Sequence, residues 1–318
     1  MLNLIRMNLY RMIKTKSLYI LLICSLAFCL MSCYMDQADF VEMHVGETET
    51  ITEDTSSEDK TDSISEKTSP ENEGTKSINE NTGSNGITIE KADEIDPEEG
   101  SFGIAVQTPE KTDGKNPVFL EYFHAHLASG MLLLFLIIGS ALYVNGESKC
   151  GFIKNIAGQT RHKSYIYIAK IIALAIYAAF SMLAYELVHY IGLKLFLPYK
   201  LSFGTEYLDQ SAKLLLVTFL LYMAFVSAIA LLVTLSHSTS LGITVGILVD
   251  CGFLLLFIPY LEKLFHVKIM KYLITTNMQQ LLLGASNKCI WQSIYVGGIF
   301  LLIYLLCGTV YFTKKDVV

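Results

Sequence analysis

Residues 46–100 read GETETITEDTSSEDKTDSISEKTSPENEGTKSINENTGSNGITIEKADEIDPEEG, a polar stretch with almost no aromatic side chains. They form the centre of an acidic tract, residues 36–121, which holds 23 Asp and Glu against 6 Lys, a net charge of −17. Such a composition cannot bury enough apolar surface to offset its chain entropy, so we expect the tract to be largely disordered. Because a tract this polar cannot lie in hydrocarbon, it must project into water, and the hydrophobic stretches on either side are expected to lie in a bilayer.

The remainder of the chain has the composition of a membrane protein. Of 318 residues, 52% are hydrophobic and only 17% are charged, and the mean hydropathy is +0.44 even with the acidic tract included. A soluble domain carries about 25% charged residues. Outside the tract the chain has 7 acidic and 18 basic residues, a net charge of +11. These values indicate an integral membrane protein and disfavour a soluble one.

Six segments are long and apolar enough to cross a membrane, which takes about 20 helical residues. They are approximately Ser17–Tyr34, Ala125–Val144, Tyr165–Tyr190, Leu214–Leu235, Leu241–Ile258 and Ile290–Phe312. The sequence therefore predicts an all-α protein with an interfacial helix over residues 1–16 and a first span over 17–34. A large exterior acidic loop over 35–122 and five further spans within 123–318 complete the prediction.

Basic residues in the short connectors predict the orientation, because Lys and Arg favour the cytoplasmic side. With six spans, ten of them fall on one side: Arg6, Arg11, Lys14, Lys16, Lys149, Lys154, Arg161, Lys163, Lys314 and Lys315. The opposite side holds seven lysines, so the bias is modest. We therefore predict a multi-pass protein of the cell membrane with both termini in the cytoplasm and the acidic loop outside.

The first 16 residues have the pattern of an amphipathic helix. Apolar side chains recur at helical spacing with basic and polar ones between them, which predicts a helix lying along the inner membrane surface. The apolar residues are Leu2, Ile5, Leu9, Met12 and Ile13. An alternative is a signal peptide that ends in a lipoprotein-type site at Leu30–Cys33. Cleavage there would leave five spans and place the C-terminus outside.

Two ionisable residues fall within predicted spans. Asp250 lies midway along the fifth, where a carboxylate costs several kcal/mol unless it faces protein or water. It is therefore a candidate for the translocation path or a dimer interface, and the alternative is a hydrogen bond that only steadies helix packing. Lys170 lies near the inner end of the third span, from where its side chain can reach the headgroups, so it needs no special role.

Three further polar residues lie near the predicted outer ends of spans. Glu186 and His189 are three residues apart and share a helix face, but at the outer interface Glu186 is better interpreted as an interfacial carboxylate, a second candidate for the path or interface. His124 and His126 are two apart and do not face each other on a helix. No metal site is therefore expected.

The connector between the second and third spans, Asn145–Lys163, predicts a short amphipathic helix at the inner surface. Phe152, Ile153 and Ile156 form an apolar stripe between charged residues, and a helix of this kind can dock into a groove on a soluble partner. The chain contains no Gly-x-x-x-x-Gly-Lys-[Ser/Thr] loop and no His-Glu-x-x-His or Gly-x-Ser-x-Gly motif. The familiar phosphate-binding, zinc-protease and serine-hydrolase motifs are therefore absent from the sequence, and an intramembrane enzyme is disfavoured because Asp250 has no second catalytic group at the same depth.

This connector resembles the permease subunits of ATP-binding-cassette exporters of the type-2 permease family, in which a segment of the form "E…G-x-I-K-N-I" follows the second span. The matching residues are Glu147, Gly151, Ile153, Lys154, Asn155 and Ile156. Residues 1–17, the basic finish at Lys314 and Lys315, and six spans with both termini inside are also similar to that family. The long first exterior loop departs from it.

The resemblance implies a mechanism and a set of partners. A coupling helix at about residues 146–160, including Phe152, would insert into separate cytosolic ATPase subunits. Those subunits would hold ATP and Mg, so this chain would be no enzyme and would bind no cofactor itself. A second permease chain, identical or related, would line a path with this one in the lipid bilayer, and no nucleic acid is involved. The style of the chain resembles Firmicutes members that export or confer immunity to lantibiotics and other antimicrobial peptides.

Other functions stay open at this stage. Within the exporter hypothesis, the cargo could be drugs, lipids or ions. A different class of function is a membrane sensor or scaffold whose exterior acidic loop binds a cationic ligand. Co-purification of an ATPase with this chain would distinguish the exporter from the sensor.

Overall fold

The computed structural model describes residues 2–53, 118–149, 164–196, 202–266 and 268–314. The described part is helical apart from connecting turns and one isolated bridge between Val118 and Ser202. Its α-helices are α1 (Leu2–Lys14), α2 (Lys16–Glu53), α3 (Phe119–Ala128), α4 (Met131–Lys149), α5 (Ser164–Phe196), α6 (Leu208–Ser236), α7 (Thr239–Asp250), α8 (Ile258–Phe265), α9 (Ile274–Gln279) and α10 (Asn287–Lys314). Short 3₁₀ turns cover Thr205–Tyr207, Phe253–Leu256 and Met270–Tyr272.

The contacts divide the chain into two compact units. The first comprises Met1–Gln37 with Asp96–Val318, and it contains the helical bundle described below. The second, Ala38–Ile95, is described only as far as residue 53, where it is the C-terminal part of α2. The predicted disorder of the acidic loop beyond residue 53 lies outside the described residues.

Four helices are long and apolar enough to cross a membrane: Lys16–Met35, Ser164–Phe196, Thr205–Ser236 and Asn287–Lys314. They correspond to the predicted first, third, fourth and sixth spans. In the most apolar stretch of each helix, 67% of the residues are buried in α6, but only 28% in α2 and 22% in α10. The core therefore forms around α6, and α2 and α10 lie at its periphery. These helices are compatible with a multi-pass membrane protein.

The predicted second span is not one straight helix. α3 and α4 meet at a bend of 47° across Ser129 and Gly130, and they make a fifth candidate span only if the bent pair is counted as one. The helix also begins at Phe119, six residues earlier than predicted. The apolar run was continuous in sequence, but Gly130 adopts a φ of 81°, which ends α3 and starts α4 on a new axis.

The predicted fifth span, Leu241–Ile258, is wrong as a continuous helix. α7 ends at Asp250 after 12 residues, a length of about 18 Å. Gly252 then adopts a φ of 79°, and the 3₁₀ turn Phe253–Leu256 follows. A six-span count is therefore not observed in the described part of the chain.

α1 is the predicted amphipathic helix, and it packs onto the bundle. Leu4, Asn8 and Met12, spaced four residues apart, are buried. The Tyr143 hydroxyl of α4 donates to the Asn8 side-chain oxygen over 3.1 Å, and Arg11 Nη2 donates to the Tyr143 carbonyl over 3.2 Å. α1 is thus held at the C-terminal end of α4, while its predicted place on a membrane surface stays a prediction.

Removing the Arg11 contact should loosen α1. In Arg11→Ala the hydrogen bond to Tyr143 and the guanidinium lying 4.8 Å from the Tyr143 ring centroid are both lost. Because a hydrogen bond from a charged group contributes about 1.5 kcal/mol or more, we expect amide hydrogen exchange in α1 to be about tenfold faster. Arg6→Ala, which removes an exposed arginine from the same helix, is the control. Equal exchange in the two variants would contradict the anchoring role of Arg11.

Contacts between helices fix the direction of each one in the bundle. α2 and α5 run in parallel, because the contacts between them advance along both helices. The Tyr177 hydroxyl, in the middle of α5, donates to the Leu18 carbonyl near the start of α2, and Cys33 lies against the His189 carbonyl further along α5. α10 runs opposite to α5, because Gly308, near the C-terminal end of α10, lies against Tyr167 near the start of α5.

We call the end of the bundle that carries α1 the α1 end. It also contains the C-terminal ends of α4 and α10 and the start of α5. Asn145 of α4 donates to Thr239 at the start of α7, so α7 also begins there. α1 and the end of α10 thus lie at one end of the bundle. Which side of a membrane this end faces stays a prediction.

Lys170 does not extend towards headgroups as predicted. It is 1% exposed, and its Nζ lies 5.3 Å from the centroid of the Phe312 ring. The side chain is therefore enclosed between α5 and α10, where the face of an aromatic ring attracts a cation.

Candidate functional site: two helix breaks at Asp250

The first helix break lies between α3 and α4. The Ser129 amide still bonds to the Ala125 carbonyl over 3.0 Å, but the Gly130 amide turns to the Leu127 carbonyl at 3.3 Å. The Ser129 hydroxyl donates to the His126 carbonyl over 2.7 Å, so part of the freed backbone is satisfied by a side chain. Local hydrogen bonds thus stabilise a bend in the middle of an apolar segment.

The second break lies at the end of α7. Asp250 is its last residue, the Cys251 amide bonds to the Ile247 carbonyl over 2.8 Å, and Gly252 provides the left-handed conformation that ends the helix. Asp250 was predicted in the middle of a continuous span. It lies instead at a helix C-terminus, where the chain leaves the helical path.

The two breaks meet. A Cβ at Gly130 would lie 2.9 Å from Asp250 Oδ1 and 3.4 Å from Met278 Cε, so only glycine allows the carboxyl group this close to the backbone. The Tyr222 hydroxyl donates to the Leu127 carbonyl over 2.8 Å at the same place. Side chains of α6, α7 and α9 therefore converge on the bend between α3 and α4.

The junction of the breaks lies half way along the central helix. Tyr222 is 14 residues from either end of α6, or about 21 Å. Asp250 is 7% exposed, and within the described residues neither of its carboxyl oxygens has a hydrogen-bond partner. A buried carboxyl group without partners is costly in a packed interior, which marks the position as a candidate functional site.

Glycines on α7 explain how Asp250 reaches this position. Gly242 and Gly246 are four residues apart and both are buried. A Cβ at Gly242 would lie 2.2 Å from Val233 Cγ2 of α6, and one at Gly246 would lie 2.5 Å from Ile137 Cγ2 of α4. Small residues at this spacing let helix backbones approach closely, so α7 packs into the groove between α4 and α6.

A second group of buried polar side chains lies towards the opposite end of the bundle. His124 Nε2 and Ser211 Oγ are 2.8 Å apart, and the His126 and His189 ring centroids are 4.5 Å apart. Phe119 packs on His189 at 5.8 Å between centroids. His124 and His126 therefore contact different helices, as their spacing predicted. Among the described residues, no group of three His, Cys, Asp or Glu could hold a metal ion.

Glu186 lies half-buried on α5, one turn before His189. The two residues were predicted to share a helix face, but they form no hydrogen bond with each other. Both ring nitrogens of His189 lack a partner in the part of the chain that the structure describes. The role of Glu186 in a path or interface stays a prediction.

The predicted coupling residues lie mostly outside the described ranges. The backbone of Glu147 belongs to the last turn of α4, and Gly151, Phe152, Ile153, Lys154, Asn155 and Ile156 fall in the segment 150–163 that is not described. Their role stays a prediction. Both ends of that segment, the end of α4 and the start of α5, lie at the α1 end.

Sequence reasoning identified Asp250 but missed its surroundings. Gly130 and Leu127 have no polar side chain, and Tyr222 is one of 18 tyrosines in the chain, so none of the three stands out in the sequence. A weak signal was present in Ser129–Gly130, since such pairs are common at helix kinks.

Comparison with known proteins gives a family. No curated protein matches the chain. A family model described as a protein of unknown function, DUF2705, matches residues 97–318, which are 222 of the 318 residues and include α3 to α10. The chain therefore belongs to the DUF2705 family.

Proposed function

We propose that this chain is the permease subunit of an ATP-driven exporter in the cell membrane, coupled to separate cytosolic ATPase subunits. The observation that carries the proposal is the arrangement of the α1 end. There the amphipathic helix α1 is bonded to α4, and both ends of the 150–163 segment emerge beside it. A soluble partner bound at that end would contact the segment and α1 together.

The junction of the two helix breaks supports movement of a solute. Transport proteins place interrupted helices and polar groups near the middle of the bilayer, where uninterrupted apolar helices would offer no binding group. Asp250 at the junction with Gly130 supplies such a group. The bundle therefore has a polar centre that a purely structural membrane anchor does not need.

The outer faces of α2 and α10 support an assembly with lipid and a second permease chain. Both helices expose large apolar side chains, including Phe28, Trp291 and Leu302, at 46%, 59% and 60%. In water such faces would be unstable. In a bilayer they contact lipid tails, and a second copy or a related chain can cover part of them.

The cargo proposal rests on the resemblance to permeases for lantibiotics and other antimicrobial peptides. The acidic tract, with its net charge of −17, would attract cationic peptides if it lies outside the cell. In this proposal the ATPases drive the cycle from the 146–160 segment, and the chain itself carries out no chemical step.

Replacing Ile153 by Asp tests the coupling. We expect tagged wild-type chain, purified from native membranes in mild detergent, to carry an ATPase whose hydrolysis is measurable in the eluate. Ile153→Asp should lose about tenfold or more of this activity, because a buried apolar contact replaced by an unpaired charge costs several kcal/mol.

The matched control is Leu208→Asp, which introduces the same charge at an exposed site at the start of α6, away from the α1 end. It should retain the ATPase. If neither wild type nor control carries an ATPase, the exporter proposal is wrong and the sensor hypothesis is favoured. If Ile153→Asp keeps full activity, the coupling segment is misassigned.

A strain that lacks the chain should become several-fold more sensitive to cationic antimicrobial peptides, and unchanged sensitivity would argue against that cargo.

A further inference from the structure

We propose that Asp250 is a proton-binding site, held as a neutral carboxylic acid where the α3–α4 break and the end of α7 meet. The inference concerns this chain's own interior and does not depend on whether an ATPase binds to it. It rests on the position, burial and missing partners of one carboxyl group. The ligand that this arrangement fits is a single proton.

The groups that face Asp250 supply no positive charge. Asp250 contacts Gly130 at the α3–α4 break, and Met278 of α9 lies beside that contact. Tyr222 of α6 and Cys251, the next residue along the chain, are the titratable groups that interact with it electrostatically among the described residues. Neither carries a positive charge in any protonation state, so an ionised Asp250 would have no counter-ion among the described residues.

The helix ends do not replace the missing counter-ion. Asp250 lies against the residue that precedes α4, whose N-terminal end carries partial positive charge and favours an anion. It is also the last residue of α7, whose C-terminal end carries partial negative charge and disfavours one. The two effects act in opposite directions on the same carboxyl group. The cost of burying the charge therefore remains, and the neutral acid is the form that this position accepts.

A metal cation fits the position less well than a proton. Cations such as Ca²⁺ take six or more oxygen ligands and Mg²⁺ an octahedral set. Here the Leu127 carbonyl already accepts hydrogen bonds from the Tyr222 hydroxyl and from the Gly130 amide. No described group of three His, Cys, Asp or Glu surrounds Asp250. A proton needs no such ligand set.

Protonation would control how the two breaks pack. Neutral Asp250 can stay against Gly130 at a lower cost than the ion, because loss of the proton leaves a charge that has to recruit water or a cation. Asp250 ends α7 and lies against Gly130 at the α3–α4 break. Water or a cation drawn to the charged carboxylate would therefore separate α7 from that break. The proton therefore stabilises the closed junction.

Infrared spectroscopy of the purified full chain in lipid nanodiscs tests the site, because a neutral carboxylic acid and a carboxylate absorb at well-separated frequencies. At neutral pH we expect a carboxylic acid band in the wild type that Asp250→Asn removes. The matched control is Asp209→Asn, which changes an exposed aspartate that forms a 2.6 Å ion pair with Lys213. Because Asp209 is exposed and paired with a lysine, its removal should leave the acid band unchanged.

Other results would overturn the proposal. An acid band that persists in full in Asp250→Asn would show that Asp250 is ionised. An acid band that appears only after Na⁺ and K⁺ are removed would make the occupant a metal cation. If Asp250→Asn does not fold, the wild type grown with carboxyl-¹³C aspartate gives the answer alone. Its labelled acid band should persist at a pH where exposed aspartates are ionised, and absence of a labelled band there would refute the site.

Discussion

Gly246→Leu is expected to remove most of the folded protein from the membrane fraction. A Cβ at this position would lie 2.5 Å from Ile137 Cγ2 of α4 and 3.0 Å from Ile229 Cδ1 of α6, so the first side-chain atom already overlaps two helices. Both contacts come from branched side chains in the core, whose rotamers have little freedom to change. The remaining leucine atoms have no space unless α7 moves away.

The size of the effect follows from the short length of α7. With 12 residues it cannot cross the bilayer, so its position depends on close packing against α4 and α6. Overpacking a core position costs about 1–3 kcal/mol, and here two helices are affected at once. We expect a thermal midpoint lower by about 5 °C or more in detergent, together with low yield of monodisperse protein on size-exclusion chromatography.

Val245→Leu is the matched control for this prediction. Val245 precedes Gly246 on the same helix and is 39% exposed, so a leucine there has space and keeps the apolar character of the surface. Its yield and thermal midpoint should stay close to those of the wild type. If Gly246→Leu is as stable as Val245→Leu, the groove between α4 and α6 is not filled by α7 as described.

The long helices were predictable from the sequence, because each is a continuous apolar run. α5, α6 and α10 include their predicted spans and extend beyond them. The two breaks were not predictable in the same way. Hydropathy averages over a window of residues, so Gly130 and Gly252 hardly lower it, although each changes the path of the chain.

The candidate site was predicted only in part, for a related reason. Asp250 is recognisable by itself, since a carboxyl group in an apolar run is costly wherever it lies. Gly130, which lies against it, is 120 residues earlier in the chain and has no side chain to signal a site. Tyr222 looks like an ordinary core aromatic residue. Contacts of this kind depend on helix packing, which the one-dimensional pattern does not contain.

Gly308→Leu is expected to separate α10 from α5 at the α1 end. A Cβ on Gly308 would lie 2.1, 2.2 and 2.7 Å from three atoms of the Tyr167 ring. Tyr167 is fully buried, and its ring also packs on Phe312 with centroids 5.6 Å apart, so it has no free volume to turn into. Phe312 in turn covers the buried Lys170 ammonium at 5.3 Å. Displacing α10 would therefore uncover a buried cation as well as an aromatic pair.

The expected loss of stability for Gly308→Leu is at least that of core overpacking, about 1–3 kcal/mol. Loss of the contact between the Lys170 ammonium and the Phe312 ring adds to it. Gly298→Leu provides the comparison on the same helix, because a Cβ at Gly298 would meet no atom within 4 Å. Thermal melts of the two variants should differ by several degrees, and amide hydrogen exchange near the end of α10 should be faster in Gly308→Leu. Equal melting and equal exchange would mean that α10 is not held against Tyr167. In that case the end of α10 would have to be placed elsewhere, and the proposed partner surface at the α1 end would change with it.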